Sequence, residues 1–243
     1  RLFVQAIGNI SHSNDWSTIE DPSLHPGEDP AQAWNALTVG GVTFKDAIEA
    51  RDRAEWSACA TVGEASPYGR TSSEWPDGTT PVKPEIVFEA GNRAANALGD
   101  QVTDAMPSLS LISTGKGGSG DALMPFYATS AATALASRMA AQITVEHSHY
   151  WPETVRALMV HSADYTPAMR AEIDSAIGKT DRSALRRRFG YGMPDLPRAL
   201  ASASTDLALV SQAYIQPFDR PKFSHHDATR RVGPITFGSA HYY

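Results

Sequence analysis

Ser130 stands where a glycine-rich segment, Gly115-Lys116-Gly117-Gly118-Ser119-Gly120, and the residues after it give way to a strong helix former running from Thr129 to Ile143. A hydroxyl at such a junction projects toward a cleft, and the unbonded N–H groups of a helix N-terminus favour negative charge beside it. Acyl transfer through a tetrahedral oxyanion requires a nucleophile and anion-stabilising donors in that arrangement. On local pattern alone the commoner role of Thr129 or Ser130 is a plain helix cap. Other groups carry less chemistry. Gly115, Gly117 and Gly120 satisfy G-x-G-x-x-G, but Asp121 to Pro125 is not the helix a dinucleotide site demands, and no acidic residue follows about 20 positions on. His147 and His149, with Glu146, lack H-E-x-x-H spacing and read as a surface cap after the helix. Arg182 with Arg186, Arg187 and Arg188 reads as a solvated helix face, and His225-His226 as part of a polar tail.

The elements that hold these residues follow from length and pattern. The 243 residues, 42% hydrophobic and 20% charged, suffice for one sizeable core. A net charge of −6 argues against nucleic acid or anionic lipid as a partner. The single cysteine, Cys59, permits no intrachain disulfide and no Cys-rich zinc site; that usage suits a reducing compartment such as the cytoplasm. No apolar run approaches the roughly 20 residues of a membrane span, so no membrane partner is expected.

Leu2 to Ile7, Ala36 to Thr43, Glu85 to Gly91 and Leu109 to Thr114 read as short strands, each bounded by turn residues. The polar stretch through about Pro30 reads as a long surface loop, Thr61 to Pro84 as an irregular connection, and Lys45 to Arg53 as a short helix or loop. The Thr129 to Ile143 segment is nearly apolar all round and predicts a buried helix. Pro152 opens a second helix through Val160, Phe189 to Pro194 is a turn, and Leu196 to Ala203 forms a further short helix. A weak β-like piece spans Val232 to Phe237. Because Arg1 runs directly into a core strand, an upstream part of the protein is expected.

Five segments, in order, resemble the C-terminal half of the catalytic domain of subtilisin-like serine proteases, the subtilase family. Leu2-Phe3-Val4-Gln5-Ala6-Ile7-Gly8-Asn9 is similar to the strand ending in Ala-Gly-Asn, and Asn35 to Gly41 to the next core strand. Val82 to Gly91 resembles Lys-Pro-Asp-(hydrophobic)-x-Ala-Pro-Gly, Ala128 to Ala134 the nucleophile motif Gly-Thr-Ser-x-Ala-Thr-Pro, and Pro152 to Leu158 the helix after it. Two positions depart: Ala128 replaces glycine and Ala134 replaces proline. If that glycine has positive φ, Ala128 strains the loop.

The resemblance implies an α/β fold, a mostly parallel sheet with helices on both faces, over 1–205, with 206–243 an irregular tail or accessory segment. It implies a serine endopeptidase acting on polypeptides, with Ser130 as nucleophile and Asn9 as oxyanion-hole residue. Ala6, Gly8 and Thr129 then contact substrate. The family's Asp and His motifs are not in this chain, so an upstream half is the implied partner. No cofactor is implied, and no calcium site of the kind the family carries is identifiable. The alternative is a catalytically inactive protease-like interaction module; an esterase lacks G-x-S-x-G around Ser130.

Overall fold

The computed structural model describes residues 1–10, 25–49, 52, 55–76, 78–116, 121–201 and 210–212. Residues 1–210 group as one compact unit and 211–243 as a second, of which Ser211 and Gln212 are described. Val232 to Phe237, His225-His226, Gly117, Gly120 and positions 11–24 of the expected loop lie outside the described residues.

The core is a parallel sheet of β1 (Phe3–Ala6), β2 (Ala36–Val42) and β4 (Ile86–Glu89), in the order β1-β2-β4. Phe3 pairs with Ala36 and Gly40 with Val87. Parallel strands covered on both faces read as near-continuous apolar runs, as in β2, which is buried throughout, and most of β4; β1 at the end of the strand order is only partly covered, with Phe3 60% exposed. Alternation sends Leu37, Val39, Ile86 and Phe88 to one face, where α1 (Ala128–Glu146), α2 (Pro152–Ser162) and α5 (Leu196–Ala201) pack. Val42 and Val87 point to the other face, against Met169 of α3 (Pro167–Ser175) and Phe189 of α4 (Gly178–Phe189). The expected architecture, helices on both sides of a parallel sheet, is the one observed.

At Gly41 the sheet admits no side chain, because a Cβ there would lie 2.8 Å from Ala90 Cβ and 2.9 Å from Ser66 Cβ. In the chain between β2 and β4 comes β3 (Ser57–Ala58), which joins β5 (Ala94–Ala95) and β6 (Val102–Thr103) in a separate small antiparallel sheet. A 3₁₀ turn, Pro107–Leu109, then trims the expected strand to β7 (Leu111–Thr114), which pairs antiparallel with β8 (Leu123–Phe126).

α1 is not buried all round. Ala132, Ala136, Met139, Ala140 and Ile143 face the sheet, while Ser130, Ala134, Ser137, Arg138 and Gln142 face outward and Val145 is 81% exposed. Alanine forms helix equally well at exposed positions, so low polarity overstated the burial. His147 caps the helix, its N–H donating to Ile143 O at 2.9 Å.

At the starting end of the strands Lys83 is fully buried, and its Nζ donates to Glu85 Oε1 and to Ala36 O, each at 2.8 Å. Glu85 also pairs with Arg156 and accepts the Thr38 N–H at 2.6 Å. The cluster pins the start of β4 to the start of β2. Burial pulls the Lys83 ammonium pKa below its ordinary value, and the Glu85 carboxylate opposes that pull.

Candidate active site

The parallel register delivers the C-terminal ends of β1, β2 and β4 to one edge of the sheet, the edge at which such sheets bind ligands. β1 leads through Ile7 to Gly8 and Asn9, with Gly8 at φ +103°, a conformation open to glycine and strained for side chains. β4 leads to Ala90 and Gly91, whose carbonyl accepts a bond from Ser66 Oγ at 2.7 Å.

The first turn of α1 is fastened to both loops. The Ala128 N–H donates to Ala90 O at 2.7 Å. The Thr129 N–H donates to Asn9 Oδ1 at 3.0 Å, and the Thr129 hydroxyl donates to the same oxygen at 2.6 Å. A backbone N–H can only donate, so the Asn9 carboxamide must present its oxygen to Thr129 and direct its NH₂ elsewhere. Among the described residues that NH₂ meets no acceptor. Ser130 follows at the third helical position, where helix geometry leaves the N–H without an i−4 partner, and it is exposed.

Thr129 Oγ1 also lies 3.3 Å from Gly8 O, so Gly8, Asn9 and Thr129 are joined directly, and Ser130 stands next to Thr129 in the same turn. Ala6 remains in the sheet, paired with Val39, and makes no described bond to α1. Ala128 lies at φ +66°, in the left-handed region, so the methyl at this position is strained as the sequence anticipates.

Several supporting residues carry no sequence signal of their own. Arg70 donates through Nε to Asn9 O at 2.8 Å and through Nη1 to Pro26 O at 3.2 Å, and its Nη2 pairs with Glu28 Oε1 at 2.8 Å. Arg93, buried, donates through Nη2 to Ile10 O at 2.8 Å and through Nε to Asp104 at 2.6 Å. Its guanidinium lies 4.5 Å from the centre of the Tyr68 ring, which stacks on Tyr127 at 5.3 Å. Burial drives the Tyr68 hydroxyl pKa well above its ordinary value, so it stays protonated. Two arginines thereby hold the carbonyls of consecutive residues, Asn9 and Ile10, from the segments that follow β2 and β4.

Among the described residues no three His, Cys, Asp or Glu side chains gather as a metal site. No described helix is long and apolar enough to cross a membrane.

The model of the subtilase family (peptidase S8) matches residues 1–192. Comparison with curated protein sequences finds no match. Among solved structures, the chain is similar to a protease from Pseudoalteromonas arctica PAMC 21717. The two are 18% identical with a TM-score of 0.47, over 82% of this chain and 42% of that one. It is also similar to the epidermin leader peptide processing serine protease of Staphylococcus aureus, at 16% identity and a TM-score of 0.43, over 84% and 41% respectively. The chain thus spans less than half the length of either.

Proposed function

Because the chain belongs to the subtilase family, we propose that it supplies the nucleophile and the oxyanion donors of a serine endopeptidase. Ser130 Oγ attacks the scissile carbonyl carbon of a polypeptide and its proton passes to a histidine. The electron pair displaced onto the carbonyl oxygen is met by the Asn9 NH₂ and the Ser130 N–H. Collapse expels the amine, which takes the proton, and leaves an acyl-enzyme; water then releases the acid through the same steps in reverse order. Ala6 and Gly8 wall the pocket for the residue on the amino side of the cut, and Thr129 borders it. No cofactor enters this chemistry.

The observation that carries the reading is the orientation of the Asn9 carboxamide. Its oxygen is occupied by Thr129, which leaves its donor for a substrate oxygen beside Ser130. The general base and the Asp that orients it belong, in this reading, to an upstream part of the protease seated beside β1. The 243 residues alone are then inactive, since an unactivated serine hydroxyl is a weak nucleophile.

A fluorophosphonate probe tests this. Labelling at Ser130, located by mass spectrometry and lost in Ser130→Ala, is expected from protein that includes the upstream Asp and His and not from the 243 residues alone. Strong labelling of the latter would place a base within this chain; no labelling of either would remove Ser130 as nucleophile.

A further inference from the structure

We propose that Glu28 makes the substrate pocket selective for a cationic side chain, lysine or arginine, on the amino side of the scissile bond. This rests on the reading of Gly8 as a wall of that pocket. Gly8 has no side chain, and the space one would fill is taken by a charged pair: a Cβ there would lie 2.9 Å from Glu28 Oε2 and 3.0 Å from Arg70 Cδ. The wall is therefore faced with a carboxylate and the stem of an arginine.

The position of Glu28 is fixed by backbone bonds rather than by its side chain. Its N–H donates to Ile7 O at 3.1 Å, and the Gly27 N–H donates to Thr71 O at 2.8 Å. Segment 26–28 is thus laced to the end of β1 on one side and to the Arg70–Thr71 segment on the other.

The sign of the ligand follows from which partner is open. All three nitrogen positions of the Arg70 guanidinium are engaged, by Asn9 O, Pro26 O and Glu28 Oε1, and its side chain is 17% exposed. The Glu28 side chain is 55% exposed, and among the described residues its Oε2 accepts nothing. An arriving anion would find each Arg70 nitrogen already donating to a protein oxygen and would meet the Glu28 carboxylate beside it. An arriving ammonium or guanidinium would find an open carboxylate oxygen already oriented by Arg70 through Oε1. A partly exposed ion pair of this kind contributes little to stability, so Glu28 is held at Gly8 at small energetic advantage to the fold itself.

Two measurements on the full-length protein decide the matter. Benzamidine, an aryl amidinium that needs no turnover, should bind the wild type in calorimetry and bind Glu28→Gln about tenfold or more weakly, the loss expected for one charge-assisted hydrogen bond. Peptide substrates differing only in the residue before the cut should be cleaved with lysine or arginine preferred. Glu28→Gln should lower kcat/KM for these about 10- to 100-fold and so narrow their advantage over a leucine substrate, while Glu28→Lys should favour a glutamate substrate. Absent benzamidine binding, equal binding by Glu28→Gln, or an unaltered substrate preference would overturn the proposal. Failure of the protease reading is separate: it appears as no hydrolysis of any peptide, or as hydrolysis that survives Ser130→Ala, and the benzamidine result stands in either case.

Discussion

Thr129 meets Asn9 with two donors, its backbone N–H and its hydroxyl, and both fall on the single oxygen Oδ1. The two residues lie 120 positions apart in the chain, so the pair is a lock between the loop after β1 and the first turn of α1. Thr129 is fully buried, which keeps water from competing for either bond. The lock decides which end of the Asn9 side chain looks outward, and three of the expectations below concern it or its neighbour Ala128.

Asn9→Ala, in protein with a complete site, should lower kcat by about 10²- to 10³-fold with a much smaller change in KM. That size is taken from an oxyanion-hole asparagine of subtilisin. Steady-state kinetics on one peptide substrate check it, and an unchanged kcat removes Asn9 from the site.

Thr129→Val keeps the shape and the backbone N–H but deletes the hydroxyl that donates to Asn9 at 2.6 Å. A stability loss of about 1 kcal/mol is expected. In the complete enzyme, kcat should fall about tenfold as the carboxamide gains freedom, equivalent to about 1.4 kcal/mol of transition-state stabilisation. Thr129→Ser should restore both. A loss of stability with kcat intact would make the hydroxyl structural alone.

Ala128→Gly should stabilise the chain. The left-handed conformation at φ +66° costs a residue with a side chain about 1–2 kcal/mol, and glycine gives back roughly 0.5–1 kcal/mol through its freer unfolded chain. At the midpoints of these ranges the net gain is about 0.75 kcal/mol, a rise in Tm of about 1–3 °C for a chain of this size. An unchanged or lowered melting temperature would show that this turn holds no strain.

Burial pushes the Cys59 thiol up to about 12, outweighing the Arg93 guanidinium that lowers it. A free thiol ionises near 8.5. The folded chain therefore holds the proton through a range in which the unfolded chain releases it. The stability this thiol contributes is whole below about 8.5 and is lost as pH rises through about 12. Denaturant titrations at several alkaline pH values should show a steeper fall for the wild type than for Cys59→Ala. At pH 8 the native thiol should resist alkylation and the unfolded one should react.

Much of the sheet was legible because buried parallel strands are written as apolar runs. Ala36 to Val42 and the β4 core stand out for that reason, and Pro152 announces the helix it begins. α3 has no signal because Met169 is its one buried residue, and α4 reads as a solvated basic face, which the structure corrects at Arg187: that side chain is 3% exposed and donates to Pro81 O at 3.1 Å, beside buried Phe189. β8 was missed because Pro125 sits inside it, a residue that argues against strand. At the candidate site, the sequence singles out Gly8, Asn9, Thr129 and Ser130 through a motif and gives no signal at Glu28, Arg70 or Arg93. Their importance comes from which carbonyl or glycine they reach across the fold, and no local pattern encodes that. Arg70 sits among Gly, Thr and Ser in a connection that reads as irregular.

Lys83 gives the molecule an internal reporter. Its amine is closed off by Ala36 O and Glu85, so an amine-selective reagent reaches it only when the beginnings of β2 and β4 separate. Labelling kinetics at this one lysine, followed by peptide mapping, would time the opening of the sheet's far end. Proton exchange at the Thr129 amide, buried at the other end, would time the release of the Asn9 lock. Comparing the two rates would tell whether the edge that bears the candidate site breathes independently of the sheet that carries it, without any substrate present.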